Sequence, residues 1–140
     1  MVFSQGVPLM STRTNLRPTT VINAKSMSSS IISSPTILQS ISAVSYVVIW
    51  SEGSTPVGSL SVEVSNDFSL EADGTVKNAG IWVPITLTLS GSPVTGIPVS
   101  GDSGSGFIDV PGISAYAIRL HYTRSSGSGT MTSIVNGKVA

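Results

Sequence analysis

Residues 81–89, with the sequence IWVPITLTL, decide the fold class of this chain. Apolar residues stand at every odd position from Ile81 to Leu89, and the even positions carry Trp82, Pro84 and two threonines. A period of two is typical of an antiparallel strand with one buried face. Because Pro84 has no N–H group for a ladder, we expect this strand to lie at a sheet edge or to contain a bulge.

Other stretches also favour strands over helices. Residues 60–64 and 116–122 alternate in the same way, and the apolar run 43–50 predicts a strand buried on both faces. Residues 106–110 and 131–138 are weaker strands, and the Ser/Gly run 125–130 is typical of a hairpin turn. About seven short strands separated by turns predict an all-β, antiparallel β-sandwich. Without cysteine for an immunoglobulin-type disulfide, a jelly-roll-like sandwich is preferred, with an immunoglobulin-like one as the alternative.

Composition disfavours several classes of protein. The 140 residues contain no cysteine, which excludes disulfides, cysteine-zinc sites, iron–sulfur clusters and thiol catalysis. The only histidine is His121, and the net charge is zero, whereas nucleic-acid-binding domains are usually basic. The longest apolar stretch is far shorter than the roughly twenty residues of a membrane-spanning helix, and the N-terminus lacks the pattern of a secretory signal. We expect no membrane or nucleic-acid partner.

Charge divides the chain at residue 41. Residues 1–40 contain Arg13, Arg17 and Lys25 but no acid, whereas residues 41–140 contain all seven acids. The first part is rich in serine and threonine and contains a single aromatic residue, so it has little apolar surface to offset its ordering entropy. The sequence therefore predicts an extended N-terminal arm over 1–40 and a β-sandwich domain over 41–140, which should fold without the arm. Partner proteins would order the arm through apolar and cationic contacts: Phe3, Arg13, Arg17, Lys25, Ile31 and Ile37.

No candidate catalytic, cofactor or metal site stands out. The Ser/Gly run lacks the lysine of a phosphate-binding loop, and His121 shares its strand face with Arg119 rather than with further metal ligands. Asp67, Glu71 and Asp73 lack the spacing of a calcium loop and read as solvated loop carboxylates. The aromatic residues predict core or subunit contacts more than a sugar-stacking platform: Trp50, Trp82, Phe107, Tyr116 and Tyr122. We therefore expect no enzyme and no cofactor.

Several pieces of the last 85 or so residues together resemble a known class of protein. These pieces are VGSLSVE at 57–63 followed by Ser65-Asn66-Asp67, Trp82 in its alternating strand, AIRLHYTR at 117–124, the SGSGT turn at 126–130, and Ile134 with Gly137-Lys138. In these pieces the chain is similar to structural proteins of tailed bacteriophages and related bacterial viruses.

The resemblance implies a non-enzymatic virion component, namely a capsid cement protein, a head–tail connector or a part of a tail or spike, that assembles with major capsid or tail proteins and forms homo-oligomers. A capsid cement, decoration or minor capsid protein that bridges capsid subunits is the first interpretation. A receptor- or glycan-binding module of a phage tail or spike is the alternative. A small enzyme would need converging titratable groups, for example two acids near His121.

Overall fold

The fold is all-β and antiparallel, as the sequence predicts. The structure, a computed structural model, describes residues 15–139, with side chains from Arg17 onward. These residues contain no helix and form a sandwich-like arrangement of antiparallel sheets. The strands are β1 (Asn15–Ser26), β2 (Ile31–Ile32), β3 (Thr36–Ile37), β4 (Ala43–Ser65), β5 (Ser69–Leu70), β6 (Val76–Asn78), β7 (Val83–Pro84), β8 (Leu87–Leu89), β9 (Ser92–Val94), β10 (Ile97–Ser100), β11 (Gly104–Val110) and β12 (Ala117–Lys138).

Two long strands organise the molecule. β4 and β12 pair antiparallel from Ala43 opposite Lys138 to Ser65 opposite Ala117. The register shifts three times between Arg124 and Thr130, and bulges of this kind bend the strand that carries them. This bend divides the main sheet into two parts. In the first half-sheet, β1 and β11 flank the paired segments 130–138 and 43–51; in the second, β2, β3, β7 and β10 flank the paired segments 117–126 and 57–65.

Alternation along β4 and β12 directs one face of both half-sheets into a single core. The inward side chains of β4 are all even-numbered, whereas those of β12 are even-numbered up to Tyr122 and odd-numbered from Met131. A bulge inserts an extra residue in one strand and so reverses the alternation beyond it. The bulged bend therefore keeps the apolar residues of both strands on the inner side: Val44, Tyr46, Val48, Leu60, Val62, Ile118, Leu120, Tyr122, Met131 and Val135.

The sheet continues across the boundary predicted at residue 41. β1 pairs with residues 130–138 of β12, from Asn15 opposite Lys138 to Ser26 opposite Thr130, and β2 and β3 pair with its first residues. Five apolar side chains of this stretch are buried in the common core: Val21, Ile22, Met27, Ile31 and Leu38. Residues 15–38 thus belong to the sandwich rather than to a separate arm, because a few well-spaced apolar residues suffice when a neighbouring strand supplies the partners. Residues 1–14 of the predicted arm lie outside the described residues.

Three local predictions need correction. Residues 81–89 form two short strands, β7 and β8, and Ile81 and Val83 are exposed. The strand within residues 43–50 buries one face only, because Val47 and Ile49 point outward and remain exposed. The Ser/Gly run 125–130 lies within β12 at its bend and does not form a hairpin turn. The edge position predicted from Pro84 agrees with β7, which among residues 15–139 pairs with β4 alone.

Candidate functional site

The outer surface of the first half-sheet carries a row of exposed apolar side chains. Val47 on β4 lies between its cross-strand neighbours, Phe107 on β11 and Ile134 on β12. Their exposed fractions are 66% for Phe107, 38% for Val47 and 36% for Ile134, and Ile49, two residues along β4, is 48% exposed. Opposed residues in antiparallel pairs have Cβ atoms about 5 Å apart. These four side chains therefore form one patch, the outer apolar face.

The surroundings of the outer apolar face are nearly uncharged. The residues that share its surface and flank Val47 and Ile49 in register are small and polar, apart from one acid at the margin: Ser45, Ser105, Thr132, Asn136 and Asp109. A contiguous exposed apolar patch with a polar rim is typical of a protein–protein contact. Covering it with protein would desolvate few charges.

The second half-sheet carries a polar cluster on its outer surface instead. Arg119 Nε donates a hydrogen bond of 2.7 Å to Glu63 Oε1, and His121 Nδ1 lies 3.0 Å from Glu63 Oε2. β12 places Arg119 directly opposite Glu63 on β4, and His121 follows two residues later on the same face. The cluster is held by strand pairing and not by a flexible loop.

Trp82 covers this polar cluster. The Arg119 guanidinium carbon lies 4.2 Å from the centroid of the Trp82 ring, a cation–π distance. Trp82 Nε1 donates to the Ala79 carbonyl at 2.8 Å, and the ring packs against Phe68 at a centroid distance of 5.6 Å. Trp82 thus has structural partners on both sides.

Glu63 is held in its ionised form. Partial burial raises the pKa of the Glu63 carboxyl, but hydrogen bonds from His121 and Arg119, together with the positive charge of Arg119, outweigh burial and hold its pKa below the ordinary value. Glu63 is the acid that the described residues place against His121. The cluster is a satisfied ion pair covered by an indole, an arrangement suited to rigidity.

A groove of about 920 Å³ lies between β8 and β11. Its lining includes the consecutive residues 85–89 on one side and 105–115 on the other. Apolar side chains dominate, among them Leu87, Ile97 and Ile113, and Asp109 is the charged residue of the lining. Within residues 15–139, β11 pairs only with β4, and β8 only with β9.

The predicted cationic contacts lie at the surface where the structure describes them. Arg17 and Lys25 are exposed on β1. Phe3 and Arg13 lie outside the described residues. The two exposed cations on β1 stay candidates for contact with an acidic partner surface.

The two predicted apolar contacts within the described residues, Ile31 and Ile37, differ in how deeply they are buried. Ile31 is buried in the core of its own chain, so its side chain is not accessible to a partner. Ile37, on β3, is half-buried. Ile31 needs no foreign surface because β12 and the core already cover it.

The remaining sequence candidates have structural partners. Asp67 Oδ1 accepts hydrogen bonds from Ile81 N at 2.7 Å and Ser65 Oγ at 2.9 Å, which lower its pKa. Asp73 accepts likewise from Thr75 N and Oγ1. Over residues 15–139 no group of three His, Cys, Asp or Glu residues could hold a metal ion. These carboxylates stabilise turns.

The aromatic residues are distributed over the core and two surfaces. Trp50 and Tyr122 are buried, Trp82 belongs to the polar cluster, and Phe107 and Tyr116 are exposed. Sequence reasoning missed the outer apolar face because it placed Val47 and Ile49 in the core. The signal in the sequence was that residues 43–50 are apolar at odd and even positions alike. Such a run indicates that both faces of the strand are apolar, but it does not show whether the outer face is covered by this chain or by another protein.

Comparison with known proteins gives no relative: no family model matches the chain, and neither a curated protein nor a solved structure matches it significantly. Within residues 15–139 there is no helix with the length and hydropathy to cross a membrane.

Proposed function

We propose that this chain is a non-enzymatic structural protein of a virion, and specifically a capsid cement, decoration or minor capsid protein that bridges neighbouring subunits. The sandwich would lie on the shell through its outer apolar face, with other virion proteins as partners. The sequence resemblance to structural proteins of bacterial viruses supplies the context, and the outer apolar face supplies the means of attachment.

The observation that carries the proposal is the row Phe107–Val47–Ile134. Side chains on the outer face of a solvated antiparallel sheet are ordinarily polar. Three apolar residues opposed across three strands, extended by Ile49, are stabilised by contact with another protein, which removes apolar surface from water at about 25 cal/mol per Å². Copies repeated over a shell would multiply a modest contact through avidity.

Val47→Lys tests the proposal because it places a charge at the centre of the row. Mass spectrometry of particles purified from cells that produce the chain should detect the wild-type protein in a fixed ratio to the main shell protein. The variant should fall at least tenfold in that ratio, since about 1.4 kcal/mol of lost binding already gives a factor of ten. Its circular dichroism spectrum should stay unchanged, because the site faces outward.

Val76→Lys is the matched control. Val76 is 58% exposed, but it belongs to the separate β5–β6 hairpin. This variant should enter particles like the wild type. Absence of the wild-type chain from purified particles, or equal incorporation of Val47→Lys, would refute the proposal. Specific binding of the chain to a glycan array, together with its absence from shells, would favour the receptor-binding alternative.

A further inference from the structure

The groove between β8 and β11 follows the edges of two strands. Successive residues of a strand point to opposite faces, so a cavity over one face touches every second residue. This groove touches the unbroken series 105–110 on β11 and 85–89 around β8. It therefore runs along their backbones, and the unpaired N–H and C=O groups of both edges border it.

Such a groove fits an extended polypeptide segment. A strand inserted there can hydrogen-bond to the backbone of β11 while alternate side chains enter the apolar lining, the mode called β-augmentation. β11 is suited to this because its seven residues pair with β4 without a register shift and contain no proline or lysine. The other edge of the first half-sheet, β1, is protected by Pro18, Lys25 and three register shifts.

The chain itself contains a segment with matching chemistry. Residues 1–14, MVFSQGVPLMSTRT, precede β1 and reach at most about 46 Å when extended. Phe3, Val7 and Leu9 are all odd-numbered, so in an extended strand their side chains would lie on the same face. Residues 1–12 carry no charged side chain.

The position of the groove favours a segment from a neighbouring copy. β1 and β11 are opposite edges of the first half-sheet, so Asn15 lies three strand spacings, about 14 Å, from β11. Residues 111–115 line the end of the groove nearest Asn15, and Ile113 N donates to Ser42 O at 2.7 Å across that end. A segment from the same chain would have to pass around this connection.

We propose that residues 1–14 of a neighbouring copy add a strand to β11 and occupy this groove, which links copies of the chain head to tail. The inference deepens the proposed function, on which it rests for the assembled copies, by naming one contact between them. Phe107 on β11 belongs both to the groove lining and to the outer apolar face, so the added strand would lie beside the surface that contacts the shell.

Site-specific cross-linking of the full-length chain tests this contact. Because the protein has no cysteine, Ser4→Cys and Ser105→Cys introduce unique thiols in the segment and on β11. The two variants, tagged with different masses, are mixed and treated with a short bis-maleimide. We expect a covalent heterodimer in at least fivefold greater yield than with Thr75→Cys, an exposed control in the turn before β6. Adding Leu9→Asp to the Ser4→Cys chain should abolish the excess.

Each outcome decides the proposal. Heterodimer that depends on Ser105→Cys and is lost with Leu9→Asp supports strand exchange. A yield equal to that of Thr75→Cys overturns it, as does a Ser4→Cys/Ser105→Cys double variant that links only within one chain. Loss of strand exchange while the chain still enters particles would leave the proposed function standing. Absence from particles while cross-linking persists would overturn the proposed function alone.

Discussion

Two tyrosine hydroxyls lie in the core without a hydrogen-bond partner among the described residues. Tyr46 and Tyr122 are fully buried on the inner faces of β4 and β12, and neither phenol oxygen is paired. Burial raises the pKa of both phenols, which stay neutral. A buried hydroxyl without a partner costs about 1–3 kcal/mol. These tyrosines therefore contribute through their rings, and their oxygens weaken the core.

Tyr46→Phe should raise the free energy of unfolding by about 1 kcal/mol, because the ring stays and the unpaired oxygen leaves. Urea denaturation followed by fluorescence measures the change. Tyr116→Phe, at a tyrosine that is 44% exposed, is the control and should have no effect. A loss of stability in Tyr46→Phe would show that its hydroxyl is hydrogen-bonded in solution.

At the level of elements, the bend of β4 and β12 joins the two half-sheets. Gly127 lies at this bend with a φ of +76°, a left-handed conformation that glycine adopts without strain. A Cβ atom built there would overlap the carbonyl group of Thr55 on the paired strand. The two strands approach so closely at the bend that a side chain cannot fit between their backbones.

Gly127→Ala should destabilise the protein by about 3 kcal/mol, of which roughly 1 kcal/mol comes from the positive φ and the rest from backbone displacement. Gly91→Ala separates the two effects, because Gly91 has a φ of +82° and open space around it. It should cost about 1 kcal/mol in the same denaturation experiment. Equal losses in both variants would contradict a steric role for Gly127.

For the whole molecule, the N-terminal strands are part of the core. The strands β1 to β3 and the residues that directly follow them supply five side chains to the common core: Val21, Ile22, Met27, Ile31 and Leu38. At about 1.5–3 kcal/mol for each buried side chain, these five contribute as much as the total stability of a typical domain, about 5–15 kcal/mol. Residues 41–140 alone would lack an outer strand of each half-sheet.

Removing residues 1–40 should therefore prevent folding, in contrast to the expectation from composition. The truncated chain should show no cooperative urea transition and should aggregate, because its inner face is exposed. Removing residues 1–14 is the matched control; the twelve strands of residues 15–139 remain, and the transition should stay close to that of the full chain. A folded 41–140 fragment would restore the boundary predicted at residue 41.

Particular strands show which structural features could be predicted from the sequence and which could not. The alternation at 60–64 and 116–122 correctly indicated strands, because a buried face imposes a period of two whatever the neighbours are, although Tyr116 itself precedes β12 and is exposed. The same reasoning failed at Ile81 and Val83, which alternate but lie exposed. It also failed at residues 15–38, where polar composition hid the few apolar residues that enter the core. The polar cluster of Glu63 and Arg119 had no signal, since their positions are 56 residues apart.

The sequence by itself determined the fold class, the antiparallel strands and the absence of cysteine chemistry, because strand periodicity and residue types are local properties. Only the tertiary structure decided that β4 and β12 bend together, that residues 15–38 complete the sheet, and that Val47 and Ile49 face outward. These features depend on which strands pair and in which register, and pairing joins residues far apart in the chain. A side chain's exposure is settled only when its neighbours on adjacent strands are known.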